Sequence, residues 1–370
     1  MISFIHMADF HLDSPFSGLP PQRAAERREE QRALFASLKN LDGEVDLFFL
    51  SGDLFDGESV YPETIETMVD TFRNLRAKVF IAPGNHDYFS PRSPYRKAVW
   101  PDNVHIFCTE QVESIPLPEH NCVIYGAAFI QPECRTSLIR NFRVTRDGRF
   151  HIMVLHGEVG SGTGAYDPIT KEEIGKTGLH YLALGHIHQE SGLQLAGDTY
   201  YAWPGCPQGR GFDETGPKGI YRGEIDQDGV RLTFLPFATR RYECIQVDVT
   251  GSPSVETSLL AALPPDGTND IYRIVLTGES REDGVHLPAL YPLVQDRFYH
   301  VTLRDETSIF RDIWARIGED TLTGLFLKRM KKALDTAQTQ EEKEKVTQAV
   351  RFGLAALEGR EDKLQQEILV

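Results

Sequence analysis

Five short polar clusters in this chain bring together side chains that bind metal ions. They are Asp9 with His11, Gly52-Asp53-Leu54-Phe55-Asp56, Gly84-Asn85-His86-Asp87, His156-Gly157, and Gly185-His186-Ile187-His188. Together they offer carboxylates, imidazoles and one amide oxygen, all of them donors to divalent cations. This many donors in clusters of this kind predicts a site for two ions.

Each cluster needs an element to deliver it, and an apolar run precedes every one. The runs are 2–6, 46–50, 79–81, 152–155 and 181–184. A buried strand that ends in a tight turn, such as Pro83-Gly84, presents its next polar groups at the rim of a sheet, where open α/β folds place their ligands. Between the second and third runs, Ile65, Met68, Val69, Phe72 and Leu75 recur at helical spacing, so 62–76 reads as a helix closing a β-α-β unit. Residues 21–41 read as a helix of mixed charge with a solvated face. Short strands at 200–203, 219–225 and 231–237 suggest an antiparallel second layer. Residues 242–304 read as a small α+β segment. From Ser308 the chain turns helical, with one stripe at Leu322, Phe326, Met330, Ala333 and Ala337 and a second at Val346, Ala349, Val350, Gly353, Leu354 and Leu357. A turn at 336–340 makes these a helical hairpin.

The ordered set Asp-x-His, Gly-Asp-x-x-Asp, Gly-Asn-His-Asp, His-Gly and Gly-His-x-His resembles the calcineurin-like metallophosphoesterases. The spellings FIHMADFHLDSPFSGL at 4–19 and SGDLFD at 51–56, with PGCPQGRGFDETGPKG at 204–219, narrow the resemblance to the DNA-repair exonuclease branch, the SbcD and YhaO-like nuclease subunits. The strong part covers about residues 1–225. It implies an α/β fold, a four-layer α/β/β/α sandwich carrying a small α+β capping domain and a C-terminal helical hairpin. The corresponding boundaries are 1–240, 241–307 and 308–370.

Composition limits the partners. The 370 residues carry a net charge of −15, which opposes nucleic-acid binding unless a local basic patch, the metals or a partner supplies the contact. Five cysteines (108, 122, 134, 206 and 244) without Cys-x-x-Cys spacing read as reduced thiols of a cytoplasmic protein. No stretch is long and apolar enough to predict a membrane span. One basic run, with Arg135, Arg140, Arg143, Arg146 and Arg149, departs from the acidic background. Arg140 and Arg143 are candidate contacts to a phosphate backbone, and Arg210 is another, with Asp213 or Glu214 as its alternative partner.

Phosphodiester hydrolysis explains why two ions would be wanted. The ester repels hydroxide and its alkoxide leaves poorly; a pair of cations about 3.5–4 Å apart addresses both difficulties. A carboxylate must bridge them, and Asp53 is the natural choice. By resemblance, one ion takes Asp9, His11, His188 and Asp53, and the other takes Asp53, Asn85, His156 and His186. His86 stays off the metals as proton donor or electrostatic stabiliser, with Asp87 placed to fix its tautomer. Asp56 either orients a ligand or closes its turn. The donor mix suits Mn²⁺, Fe²⁺ or Zn²⁺, and the resemblance favours Mn²⁺. It also implies DNA as substrate, an SMC-like ATPase docked on the C-terminal helices, and a homodimer. Two alternatives remain open: hydrolysis of nucleotides or other small phosphate esters, and an architectural subunit of an ATPase complex whose nuclease is conditional.

Overall fold

The computed structural model describes residues 1–265, 267, 269–280, 285–309 and 313–357. Contacts divide the chain into two units, one of Met1–Ile245, Pro264–Val275 and Leu290–Arg304, the other of Gln246–Leu263, Leu276–Ala289 and Asp305–Val370.

In the first unit β1 (Ile2–Met7), β2 (Leu47–Leu50), β3 (Lys78–Ile81) and β4 (Val104–Ile106) lie parallel and in that order. Parallel neighbours need long crossovers, and α1 (Pro21–Ala36) and α2 (Pro62–Arg73) provide the first two. The chain then builds a second sheet. Its strands are β5 (Glu113–Leu117), β6 (Cys122–Gly126) and β7 (Phe150–His156), followed by the small ribbon β8 (Glu158–Gly160) with β9 (Pro168–Thr170), helix α3 (Lys171–Gly175), and β10 (Tyr181–Gly185), β11 (Gln194–Ala196) and β12 (Thr199–Ala202). The order across this sheet is β11-β12-β10-β7-β6-β5, with β12, β10, β7 and β6 parallel. The hairpin of β13 (Gly219–Asp226) and β14 (Gly229–Pro236) returns to the first sheet, where β13 pairs antiparallel with β1. The strands expected to form a layer of their own are therefore shared between the two sheets, because pairing is decided by distant partners that local alternation does not encode.

Strand alternation sorts the core into layers. Phe4, Leu47, Phe49 and Phe80 point towards Ile152, Val154, Tyr181 and Ala183 of the opposite sheet. The intervening Ile5, Met7, Phe48, Leu50, Val79 and Ile81 pack with Phe35, Leu38, Met68 and Phe72 of the helical side. On the outer face of the second sheet, Leu155, Leu182 and Leu184 meet Ile174 of α3 and Ile139, Leu138 and Phe142 from the basic run. Sheets flanked by helices thus form the expected mixed α/β sandwich, with an irregular segment supplementing α3 in the last layer. Helix α1 is less solvated than its charge pattern suggests. Arg27 is fully buried, paired with Glu30 and donating through Nη2 to the Gly209 carbonyl at 3.1 Å.

Beyond these, β15 (Tyr242–Asp248), helix α4 (Val255–Ala262), β16 (Ile271–Thr277), β17 (Glu279–Ser280), the short α5 (Leu287–Leu290), β18 (His300–Asp305) and β19 (Ser308–Ile309) follow. Strands β15, β16 and β18 form a three-stranded sheet in that order, and β17 pairs with β19. Helices α6 (Leu322–Thr336) and α7 (Gln340–Leu357) pack together as a hairpin. A Cβ on Gly353 would overlap the Phe326 ring, so glycine sets how closely these helices approach. The helical stretch expected from Ser308 begins at Leu322, and its end at 358–370 lies outside the described residues. No described helix is long and apolar enough to cross a membrane.

Candidate metal centre

The polar clusters all sit at the carboxyl ends of the parallel strands. Asp9 and His11 follow β1, Asp53 follows β2, Asn85 and His86 follow β3, His156 ends β7, and His186 and His188 follow β10. Asp9, His11, Asp53 and His186 hold φ angles of 55°, 45°, 50° and 100°. Such values are uncommon outside glycine, and their persistence marks backbone held in place by its surroundings. Two backbone bonds tie the first loops together, Asp9 N–H to the Gly52 carbonyl at 3.0 Å and His11 N–H to the Asp53 carbonyl at 2.9 Å. Close approach also needs glycine at position 84, where a Cβ would overlap Asp53 Oδ1 and the His156 ring.

Asp9, His11, Asp53 and His188 make the first group. The Nε2 atoms of His11 and His188 face each other at 3.2 Å. Their other nitrogens are occupied: His11 Nδ1 lies 3.2 Å from Asp56 Oδ1, and His188 Nδ1 lies 2.7 Å from Glu214 Oε1. An ionised carboxylate only accepts, so each Nδ1 carries the proton and each Nε2 turns a lone pair towards the other. Two facing lone pairs repel, and a cation between them removes that repulsion. Asp53 Oδ2 lies 3.7 Å from His11 Nε2.

The second group is Asp53, Asn85, His156 and His186. His156 donates from Nδ1 to the Ser51 carbonyl at 2.9 Å, which leaves its Nε2 as an acceptor. That atom lies 2.9 Å from Asn85 Oδ1 and 3.4 Å from Asp53 Oδ2. His186 Nδ1 is 3.2 Å from Asn85 Oδ1. Here too acceptors converge, in this case His156 Nε2, Asn85 Oδ1 and Asp53 Oδ2. The groupings Asp9/His11/His188, His11/Asp53/His86 and Asp9/Asp53/His156 each bring donor atoms within 4.8 Å of one another.

The electrostatics match a site built for positive charge. Burial, and next the charge of Asp53, push the Asp9 carboxyl well above the ordinary range. Burial would raise Asp53 as well, but His156, His11 and His86 outweigh it and hold the group below its usual value. Burial drives His11 and His186 down to about 4, so both are neutral imidazoles with a free lone pair at pH 7.

One expected role changes. Asp87 does not touch the His86 ring; His86 Nδ1 instead faces the Asp56 carbonyl at 3.3 Å. Asp87 accepts from the backbone N–H of Gly84 (2.7 Å), Leu54 (2.7 Å), Asp53 (3.2 Å) and Phe55 (3.3 Å), and from Tyr95 Oη (2.5 Å). The strand-end turns leave several amides without partners, and a buried carboxylate satisfies them together. Arg210 takes the alternative partner expected for it, Glu214, and its guanidinium is engaged by Asp56 as well. Several arginines of the basic run already have partners within the protein. Arg135 pairs with Glu133 and Arg149 with Asp147, while Arg146 bonds the Gly178, Leu179 and Asp198 carbonyls. Those carbonyls lie near the opposite end of the sheet from His186, just before β10 and its parallel neighbour β12 start. Arg143 bonds the carbonyl of its neighbour Phe142. Arg140 is exposed and makes no side-chain bond to another described residue. Sequence reasoning missed Glu214 as the partner of His188 and Ser51 as the partner of His156. Only the acidic character of 213–214 hinted at the former, and a backbone carbonyl leaves no sequence signal at all.

The donor set, neutral imidazoles with buried carboxylates and an amide oxygen, fits a pair of divalent cations. Comparison with known proteins agrees. The family described as calcineurin-like phosphoesterase matches residues 2–190, which include every candidate ligand. The chain is also 29% identical over 342 residues to the uncharacterized metallophosphoesterase YhaO of Bacillus subtilis (strain 168), covering 86% of this chain and 82% of that protein.

Proposed function

The chain belongs to the calcineurin-like phosphoesterase family, and from that premise we propose that it hydrolyses DNA phosphodiester bonds, as an exonuclease of the SbcD/YhaO type acting in DNA repair. The observation that carries the hydrolytic part is the position of Asp53 Oδ2, 3.7 Å from His11 Nε2 and 3.4 Å from His156 Nε2. One carboxylate thus reaches into both ligand groups, as a bridge between two ions must. In this reading Asp9, His11 and His188 complete the first position, and Asn85, His156 and His186 complete the second. When bound, the two ions supply Lewis acidity, neutralising the phosphoryl oxygens and making a water nucleophilic near neutral pH.

The chain's own groups do the rest. Asp56 and Glu214 hold the first pair of imidazoles in the tautomer that leaves Nε2 free, and the Ser51 carbonyl does the same for His156. His86 is exposed, its ring centroid 4.7 Å from that of His11. With Nδ1–H on the Asp56 carbonyl, its protonated form keeps a proton at Nε2 for the departing oxygen. Manganese is the proposed ion, with iron or zinc as substitutes.

The DNA substrate draws support from the sequence spelling around Asp9 and Asp53. A second reading, small phosphate esters, draws support from the net charge of −15 and from the internal pairing of Arg135, Arg146 and Arg149. A partner ATPase of the SMC-like kind would dock on α6 and α7, where Leu322 and Leu325 are 70% and 59% exposed. A homodimer belongs to the same reading, as does a cytoplasmic setting that keeps the free thiols reduced. Incubating the chain with 5′-labelled DNA and Mn²⁺, against His86→Ala, tests the proposal. Degradation lost in the variant supports it. Inertness to DNA with turnover of a small phosphodiester supports the second reading, and inertness to both until an ATPase is added supports an architectural role.

A further inference from the structure

We propose that Arg210 is a positioning residue for one of the two ion positions, closing a ring of charges that fixes both of its imidazoles from behind. The inference rests on the two-ion reading above. Arg210 lies outside the family-matched residues 2–190, in the loop between β12 and β13. Its Nη1 donates to Asp56 Oδ1 at 3.1 Å, and its Nη2 donates to Glu214 Oε1 at 2.8 Å. Its backbone N–H donates to Glu214 Oε2 at 2.7 Å. The same two side-chain oxygens, Asp56 Oδ1 and Glu214 Oε1, accept from His11 Nδ1 and His188 Nδ1. Those imidazoles meet through Nε2 at 3.2 Å. The path His11–Asp56–Arg210–Glu214–His188 therefore closes on itself around the cation position.

This arrangement has a physical consequence. Each carboxylate oxygen is shared between a guanidinium and an imidazole N–H, so neither acid can turn without losing both bonds. A planar guanidinium spans two acids at once, whereas a lysine ammonium acts as a point charge. The 3.3 Å approach of Nη2 to His188 Nδ1 joins two donors and follows from their common acceptor, Glu214. The loop itself is anchored at both sides of Arg210, by Arg27 on the Gly209 carbonyl and by Lys218 Nζ on the His188 carbonyl at 3.0 Å. Glu214 takes donors from His188 Nδ1 and from the guanidinium and backbone N–H of Arg210, the set of partners a carboxylate acceptor needs. The other ion position is supported differently. His156 leans on the Ser51 carbonyl, and neither His156 nor His186 touches Arg210 in the bonds found among the described residues. Loss of Arg210 should thus act on one ion and spare the other.

The test is a Mn²⁺ titration of metal-free protein, read by calorimetry and by electron paramagnetic resonance. Wild type should bind two ions. Arg210→Gln should weaken one of them by about 10–100-fold and leave the other near its wild-type affinity, with His188→Ala affecting the same binding phase. Arg210→Lys should recover part of the loss. Glu214→Gln should reproduce it, and the Arg210→Gln/Glu214→Gln double variant should add little. Glu214→Gln carries the test if Arg210→Gln does not fold. Two tight ions in both single variants, or equal weakening of both ions, would overturn the inference while leaving the two-ion reading intact. Fewer than two ions in wild type would overturn that reading and the inference with it.

Discussion

His11 and His188 point their Nε2 atoms at each other across 3.2 Å, although 177 positions separate them in the chain. Each is turned that way by a carboxylate behind it, so the contact is imposed from outside the pair. A cation held by both lone pairs would relieve their repulsion.

Metal binding should therefore stabilise the fold. An ion that binds only the native state contributes about 2.7 kcal/mol at a hundredfold excess over its Kd. Differential scanning fluorimetry should show a higher Tm with Mn²⁺ and a lower one after chelation. An unchanged Tm across both treatments contradicts metal binding at this cluster.

Asp87 is read as a structural clamp, and its substitution should be seen first in stability. It is 1% exposed and accepts from four backbone amides and one phenol. Asp87→Ala leaves these donors buried without a partner, which costs about 3 kcal/mol or more. Tyr95→Phe removes one bond and should cost about 1–2 kcal/mol. Urea unfolding measures both, and a loss of turnover in Asp87→Ala at undiminished stability would speak for a chemical role instead.

His86 makes the opposite prediction. It is exposed and outside the clamp, so His86→Ala should keep the wild-type fold and ion count while kcat falls by about 10²–10⁴-fold. Metal analysis beside steady-state kinetics separates the two effects. A variant that loses an ion would make His86 a ligand, as its grouping with His11 and Asp53 permits.

The pH dependence of stability should carry a contribution from Asp167. Burial pushes this carboxyl from 3.8 to about 8, its Oδ1 accepts from Leu138 N–H at 2.7 Å, and its Oδ2 has no partner among the described residues. The folded state therefore holds a proton that the unfolded chain has released, and stability falls as pH rises from about 4 to about 8. Asp167→Asn should flatten that part of the profile and raise the urea midpoint at pH 8. A wild-type profile parallel to that of the variant over this range rules the effect out.

What could be read from the sequence followed from local chemistry. His186 and His188 announce themselves because imidazoles flanking one residue, directly after the apolar run 181–184, have few uses other than binding. What could not be read was non-local. In the Leu-Phe-Phe-Leu strand every residue is buried, so hydropathy alone does not say that Phe49 faces the other sheet while Phe48 faces the helices. The hairpin of β13 and β14 alternates as any edge ribbon does, and only its pairing with β1 assigns it to the first sheet. Asp87 belongs to a motif that suggested a partner beside it in the chain, yet its bonds go mainly to amides of the neighbouring loop. Arg27, one of several charges on α1, is buried because a carbonyl at position 209 awaits it.

The central claim is that two ions share Asp53. Anomalous diffraction from crystals grown with Mn²⁺ tests it most directly. Two peaks about 3.5–4 Å apart, with Asp53 Oδ2 between them, are the result expected. A single peak, or two that do not share Asp53, would contradict it.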